Sequence, residues 1–169
     1  MEAIEAIETR RSVRRYENKQ IDDEIVKRLL SAAMNAPSAA NEQPWEFIVI
    51  KDREMLDAIP TFSPYARLVT HAPLGILICG DTRNIIAPGF WVQDCAAATQ
   101  NLLIAAHALG LGAVWTGVYP MEQQVAGFTK HCQLPEGVVP LAFVVVGYPA
   151  ETPPKQNRFD PDRIHANVW

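Results

Sequence analysis

Residues 91–110, WVQDCAAATQNLLIAAHALG, constrain the fold more than any other stretch. They are apolar or small on nearly every side, span about five helical turns and stop at Gly110, a residue suited to closing a helix. A helix with so little polar surface cannot face water along its length, so it must lie inside the molecule or against a partner. The longest nearly apolar run here is broken by His107 and by glycines, and it falls short of the roughly 20 residues that a membrane span needs.

The layers that would cover this helix are legible. LGILICG (74–80) is a continuous apolar run bounded by turn residues, the pattern of a strand covered on both faces. WEFIVI (45–50), AVWTGV (113–118) and PLAFVVVGY (140–148) give three further strands. Helices are predicted at 2–10, with Ala3, Ile4 and Ile7 on one side, and at 22–35, 53–59 and about 121–130. The helix at 22–35 has Asp22 as N-cap, Ile21 and Val26 as a staple, and Ile25, Leu29, Ala32 and Ala33 as its inner stripe. Pro37 ends it. SPYARLVTHAP (63–73) reads as a proline-flanked loop long enough for a lid. This order predicts an α/β or α+β fold of three layers, with a central sheet between helices.

At 169 residues the chain fits one domain, residues 1–169, which at this size buries about 70% of its unfolded surface. The net charge of −4 gives no reason to seek nucleic acid or an anionic membrane. MEAIEAIETRR lacks the apolar centre of a secretory signal, so the expected location is cytoplasmic. Cys79, Cys95 and Cys132 are odd in number and lack CxxC spacing, and read as buried small hydrophobes. His107, on its apolar helix, reads as a hydrogen-bonded core residue. From 149 the chain becomes proline-rich, yet Phe159, Ile164, Val168 and Trp169 recur through it. Residues 149–169 are therefore expected to form an extended arm that docks, within reach of a neighbouring subunit.

Four segments carry chemistry. RRSVRRY (10–16) crowds Arg10, Arg11, Arg14 and Arg15 around Ser12. As a helix it would set like charges four apart; as an extended segment it would put Arg10, Ser12 and Arg14 on one face. Either way an anion would turn repulsion into charge-assisted hydrogen bonds, so a phosphate seat is expected. APSAANEQPWEF (36–47) offers small residues that admit a flat ligand, followed by the amides of Asn41 and Gln43. GLGAVWTGVYP (110–120) ends a buried strand at Thr116 and Gly117, and Lys155 and Arg158 add cations in the arm. GxSxG, HExxH, GxxxxGK[ST] and GxGxxG are all absent, and no histidine set has metal-ligand spacing.

In this order, RRSVRRY, PSAANEQPWEF, GLGAVWTG and the final basic pair before FDPDRIH resemble the FMN-dependent nitroreductase family over almost the whole chain. The resemblance implies an α+β fold with a mainly antiparallel sheet, in a homodimer with FMN in clefts at the interface and C-terminal arms exchanged between subunits. It implies that Arg10, Arg11, Ser12 and Arg14 bind the FMN phosphate and ribityl chain. Pro37, Ser38, Ala39 and Asn41 of the other subunit would touch the ring, Trp115, Thr116 and Gly117 would lie by its reactive nitrogen, and Lys155 and Arg158 would close on the phosphate. The implied activity is ping-pong reduction of nitroaromatics, quinones or related acceptors by NADH or NADPH, with no side-chain nucleophile. A non-catalytic flavin- or nucleotide-binding or sensing protein, a reductive dehalogenase and a flavin oxidase are the alternatives on the same scaffold.

Overall fold

The structure, a computed structural model, describes residues 1–169. Four strands form one antiparallel sheet in the order β1-β2-β4-β3: β1 (Trp45–Ile50), β2 (Leu74–Asp81), β3 (Gly112–Gly117) and β4 (Val138–Gly147). The central pair, β2 and β4, are the most continuously apolar segments, and alternation of their side chains buries both faces. On one face Leu74, Ile76 and Ile78 lie with Ala142, Val144 and Val146. On the other, Leu77 and Cys79 lie with Phe143 and Val145.

Helices α2 (Asp23–Met34) and α4 (Trp91–Ala108) cover the first face, through Val26, Leu29 and Ala33 of α2 and Cys95, Ala98, Leu102 and Ala106 of α4. The apolar helix is thus the inner layer its composition demands. It closes on Gly110 at φ +78°. The Leu111 N–H donates to Ala106 O at 2.8 Å and the Gly110 N–H to His107 O at 3.0 Å. These are the paired bonds of a Schellman ending. Asp22 stands at the N-cap of α2, and the staple residues Ile21 and Val26 are buried, although the Asp22 side chain accepts no capping bond.

Helices α3 (Arg53–Ala58) and α5 (Glu122–His131) cover the second face together with residues 63–73, which are not a lid. Pro64–His71 is a 3-10 turn with Ala66 and Val69 fully buried. The Arg53 guanidinium donates to the carbonyls of Val69 and Ala72, each at 2.9 Å, and binds the turn to the core. Burial pushes the thiols of Cys79 and Cys95 up to about 12 and that of Cys132 up to about 11, which keeps them protonated and unreactive near neutrality.

Two segments depart from their expected packing. In α1 (Ala3–Thr9) only Ala6 is buried, and Ile4 and Ile7 face outward. In the arm at 149–169 the apolar residues Phe159, Ile164, Val168 and Trp169 are exposed, Trp169 by 99%, so this outer part does not dock on its own chain. No helix is long and apolar enough to cross a membrane.

Candidate active site

The arginine-rich segment is extended. Helix α1 stops at Thr9, Ser12 forms a parallel bridge with Ala113 of β3, and the Val13 N–H donates to Ala113 O at 3.1 Å. This fit depends on Gly112, because a Cβ there would stand 2.6 Å from Val13 Cγ1. Val13 and Tyr16 turn inward, which leaves Ser12 half-buried and Arg14 and Arg15 exposed.

The start of the arm clamps the same segment. Tyr16 bridges Pro149, the Ala150 N–H donates to Arg15 O at 2.9 Å, and Glu151 Oε1 accepts the N–H groups of Arg14 at 2.6 Å and Arg15 at 3.2 Å. The arm is thereby directed back past the end of α1. Arg11 donates to the Gln156 carbonyl at 3.0 Å, and Arg158 donates to Gln156 Oε1 at 3.0 and 3.2 Å. Between α1 and the arm lies a cleft of about 390 Å³, with Arg10, Arg11 and Arg158 on its walls and Ile7, Glu8 and Phe159 beside them.

Three guanidinium groups from opposite ends of the sequence thus meet without a counter-ion. The ion pairs of the chain are Lys51–Asp23, Arg53–Asp57, Arg83–Asp81 and Arg163–Asp160, and none involves the cluster. Burial, then the charges of Arg158 and Arg11, lower the Arg10 pKa. Arg11 Nε is buried with no hydrogen-bond partner. An anion in the cleft would relieve the repulsion among the three guanidinium groups, which makes a phosphate a chemical fit for these residues.

Behind the cluster, the Thr9 hydroxyl donates to Glu5 O at 2.6 Å and lies 2.8 Å from His107 Nε2. With its one proton committed, the hydroxyl can only accept from the ring, so the network assigns the proton to Nε2. Burial, then Arg10 and Arg11, lower the His107 pKa and favour the neutral ring.

The remaining sequence-selected residues lie elsewhere. Trp115 points outward from β3. Thr116 is buried, and its hydroxyl donates to Phe143 O at 2.8 Å, which leaves this residue's backbone, not its side chain, for any ligand. Lys155 is exposed and stands outside the arginine cleft. Pro37, Ser38, Ala39 and Asn41 form the turn before β1, at the far edge of the sheet. From the Ser12 segment to β1 the path crosses β3, β4 and β2. Each step is a strand spacing of about 4.8 Å, so the full width of the sheet lies between them. Ser12 and Ala113 also align with Leu74 at one end of β2 and Trp45 with Gly80 at the other, so the two segments occupy diagonally opposite corners.

Composition drew attention to the arginines but not to Glu151 and Gln156, which place them through main-chain contacts. It also passed over Asp94, although a lone charge on the 18-residue α4 was a visible signal.

The model of the Nitroreductase family matches residues 7–72 and 64–148. The chain belongs to the nitroreductase family. A relative from Methanothermobacter thermautotrophicus, provisionally named NADH dehydrogenase/NAD(P)H nitroreductase, is 51% identical over 100% of this chain and 88% of its own. A structure from Bacteroides thetaiotaomicron under the same provisional name superposes with a TM-score of 0.94 at 41% identity, covering 99% of this chain and 98% of the other. A nitroreductase-type protein from Desulfovibrio desulfuricans, crystallised in complex with FMN, superposes with a TM-score of 0.89 at 33% identity over 100% and 98% of the two chains. The three-layer antiparallel architecture is thus the nitroreductase-like fold.

Proposed function

We propose that the chain is an FMN-dependent oxidoreductase that takes hydride from NADH or NADPH and passes it to nitroaromatic, quinone or related acceptors. The observation that carries this reading is the convergence of Arg10, Arg11 and Arg158 on one cleft with no ion pair to an acidic side chain. The FMN complex of the Desulfovibrio relative and the nicotinamide-linked name of the Methanothermobacter relative support it.

Arg10, Arg11, Ser12, Arg14 and Arg158 hold the dianionic phosphate, each charge-assisted bond contributing about 1.5 to 3 kcal/mol where it is buried. Lys155, exposed in the same arm, adds charge from its outer side. Trp115, Thr116 and Gly117, at the end of β3 away from Ala113, would hold the flavin ring. Pro37, Ser38, Ala39 and Asn41 stand too far away in the same chain, so a second copy supplies them and the working unit is a homodimer. Each copy acts as one domain, and the far part of its 149–169 arm, from Phe159 on, lies on its mate. Bound FMN would accept hydride from the nicotinamide and deliver it to the acceptor, so the chain needs no nucleophile of its own. Its residues bind and orient the cofactor and keep water from the face where the two substrates exchange.

Purified protein should carry or take up FMN and be yellow. NADH or NADPH should bleach it in a stopped-flow mixer, and menadione or nitrofurazone should restore the colour with turnover. Flavin-loaded protein that neither nicotinamide reduces would leave a binding protein and reject the enzyme.

A further inference from the structure

Asp94 is the lone charged residue of α4 and is only 6% exposed. Its Oδ1 accepts the Ala39 N–H at 3.0 Å, and its Oδ2 is buried with no partner. A polar oxygen left unmet is unfavourable, so its retention calls for a compensating role. Its place in the first turn of α4 explains how the charge is tolerated, because a helix N-terminus favours negative groups. What it grips explains more.

The residues after Ala39 are strained. Ala40, Asn41 and Gln43 have φ of +49°, +55° and +51°. This is the left-handed region, in which a Cβ crowds the following carbonyl oxygen. Local bonds close this turn: Asn41 N–H to Ser38 O at 3.1 Å, Glu42 N–H to Ala39 O at 3.0 Å and Gln43 N–H to Ser38 Oγ at 3.0 Å. Two acidic side chains then tie it to the body. Asp94 holds Ala39 from α4, and Glu42 accepts the N–H groups of Ile86 and Ala87 in the loop after β2. Such strain persists only where its surroundings over-determine it, and it gathers where a ligand is clamped.

We propose that Asp94 is a positioning residue for the flavin ring: by fixing the Ala39 amide from α4, it keeps the turn at 38–43 in the shape that receives the ring, without touching the cofactor. The inference rests on the functional reading above, in which this turn meets the ring. It differs from the arginine seat in one measurable respect. A ring-side defect weakens riboflavin and FMN alike, whereas a phosphate-side defect weakens FMN alone.

The test is fluorescence titration of the full-length protein with both ligands, and comparison of the bound-flavin spectra at saturation. Asp94→Ala should weaken riboflavin and FMN by the same factor, about tenfold, and shift the visible bands of the bound flavin. Asp94→Ser, whose shorter hydroxyl falls short of the Ala39 amide, should do the same, and it carries the comparison if the alanine variant does not fold. Asp94→Asn keeps the Oδ1 acceptor and should stay within about threefold of the parent. Alanine or serine variants that bind both ligands as the parent does, or that lose FMN alone, overturn the inference. So does an asparagine variant as impaired as the alanine one. A parent protein that binds no FMN overturns the functional reading instead.

Discussion

Arg10, Arg11 and Arg158 repel one another and face no acidic side chain within ion-pair distance, so their energy depends on what enters the cleft between them. Replacing Arg10 or Arg158 should therefore act on ligand affinity far more than on stability. Arg158 is exposed, so its bond to a phosphate is partly screened. Arg158→Ala is expected to weaken FMN about tenfold, the low end of what a charge-assisted bond contributes. Riboflavin, which has no phosphate, should bind as before, and paired titrations check the difference. His107 reports the same field through pH. Its folded pKa lies below 6.5, so between the two values the unfolded chain binds the extra proton and the folded chain does not. Stability is thus complete above pH 6.5 and is lost as pH falls through that value toward the folded pKa. The urea midpoint should decline as the solution is taken from neutral to mildly acidic, and His107→Gln should flatten the decline. Asp81, held at about 2 by the Arg83 hydrogen bonds, contributes stability above the ordinary carboxylate range and loses it only in stronger acid, outside that window. The sequence singled out the arginines and His107, though not Asp81. Their supports did not show, since Glu151 and Gln156 act across more than a hundred residues of chain.

At the scale of elements, periodicity worked where burial is uniform and failed where tertiary contacts decide. Strands β2 and β4 fall close to their expected limits because each buries nearly every side chain, and helix α4 does so because few of its residues are fully exposed; that demand is written in their composition. The 63–73 segment misled because its prolines resemble loop punctuation. The Arg53 side chain, 16 and 19 residues away, donates to its Val69 and Ala72 carbonyls and holds it against the sheet. Ser12 and Val13 pose a similar problem, for what brings them to β3 is the missing Cβ of Gly112. Gly112→Ala would press on Val13 Cβ, 2.8 Å away, which cannot swing aside without moving its backbone. The variant should lose about 1 to 3 kcal/mol in urea unfolding and bind FMN more weakly, because residues 10–12 move with Val13. Gly89→Ala, with no atom within 4 Å of the added carbon, should be nearly neutral in both measurements and serves as the control.

The molecule as a whole raises the question of how opposite corners of one sheet can serve one cofactor. Within a chain, the arginine seat lies beside β3 and the strained turn lies before β1, with the full width of the sheet between them. The surfaces that would bring two chains together are already apolar: Ile4 and Ile7 of α1, and an arm whose Phe159 is 72% exposed. If a two-fold pairing that buries them also set each seat against the turn of the other chain, each site would need both partners. Complementation tests this directly. One variant carries Arg10→Ala and Arg158→Ala, the other carries Asn41→Glu, and each homodimer is defective at both of its sites. In a mixed dimer one site inherits both lesions and the other inherits neither. Equal mixing with random exchange should therefore restore about a quarter of the parent's FMN-binding capacity. Sedimentation should report particles of twice the 18.8 kDa chain mass. If each chain instead built its site alone, no mixture would recover any capacity, and diluting the parent to monomers would leave its FMN affinity unchanged.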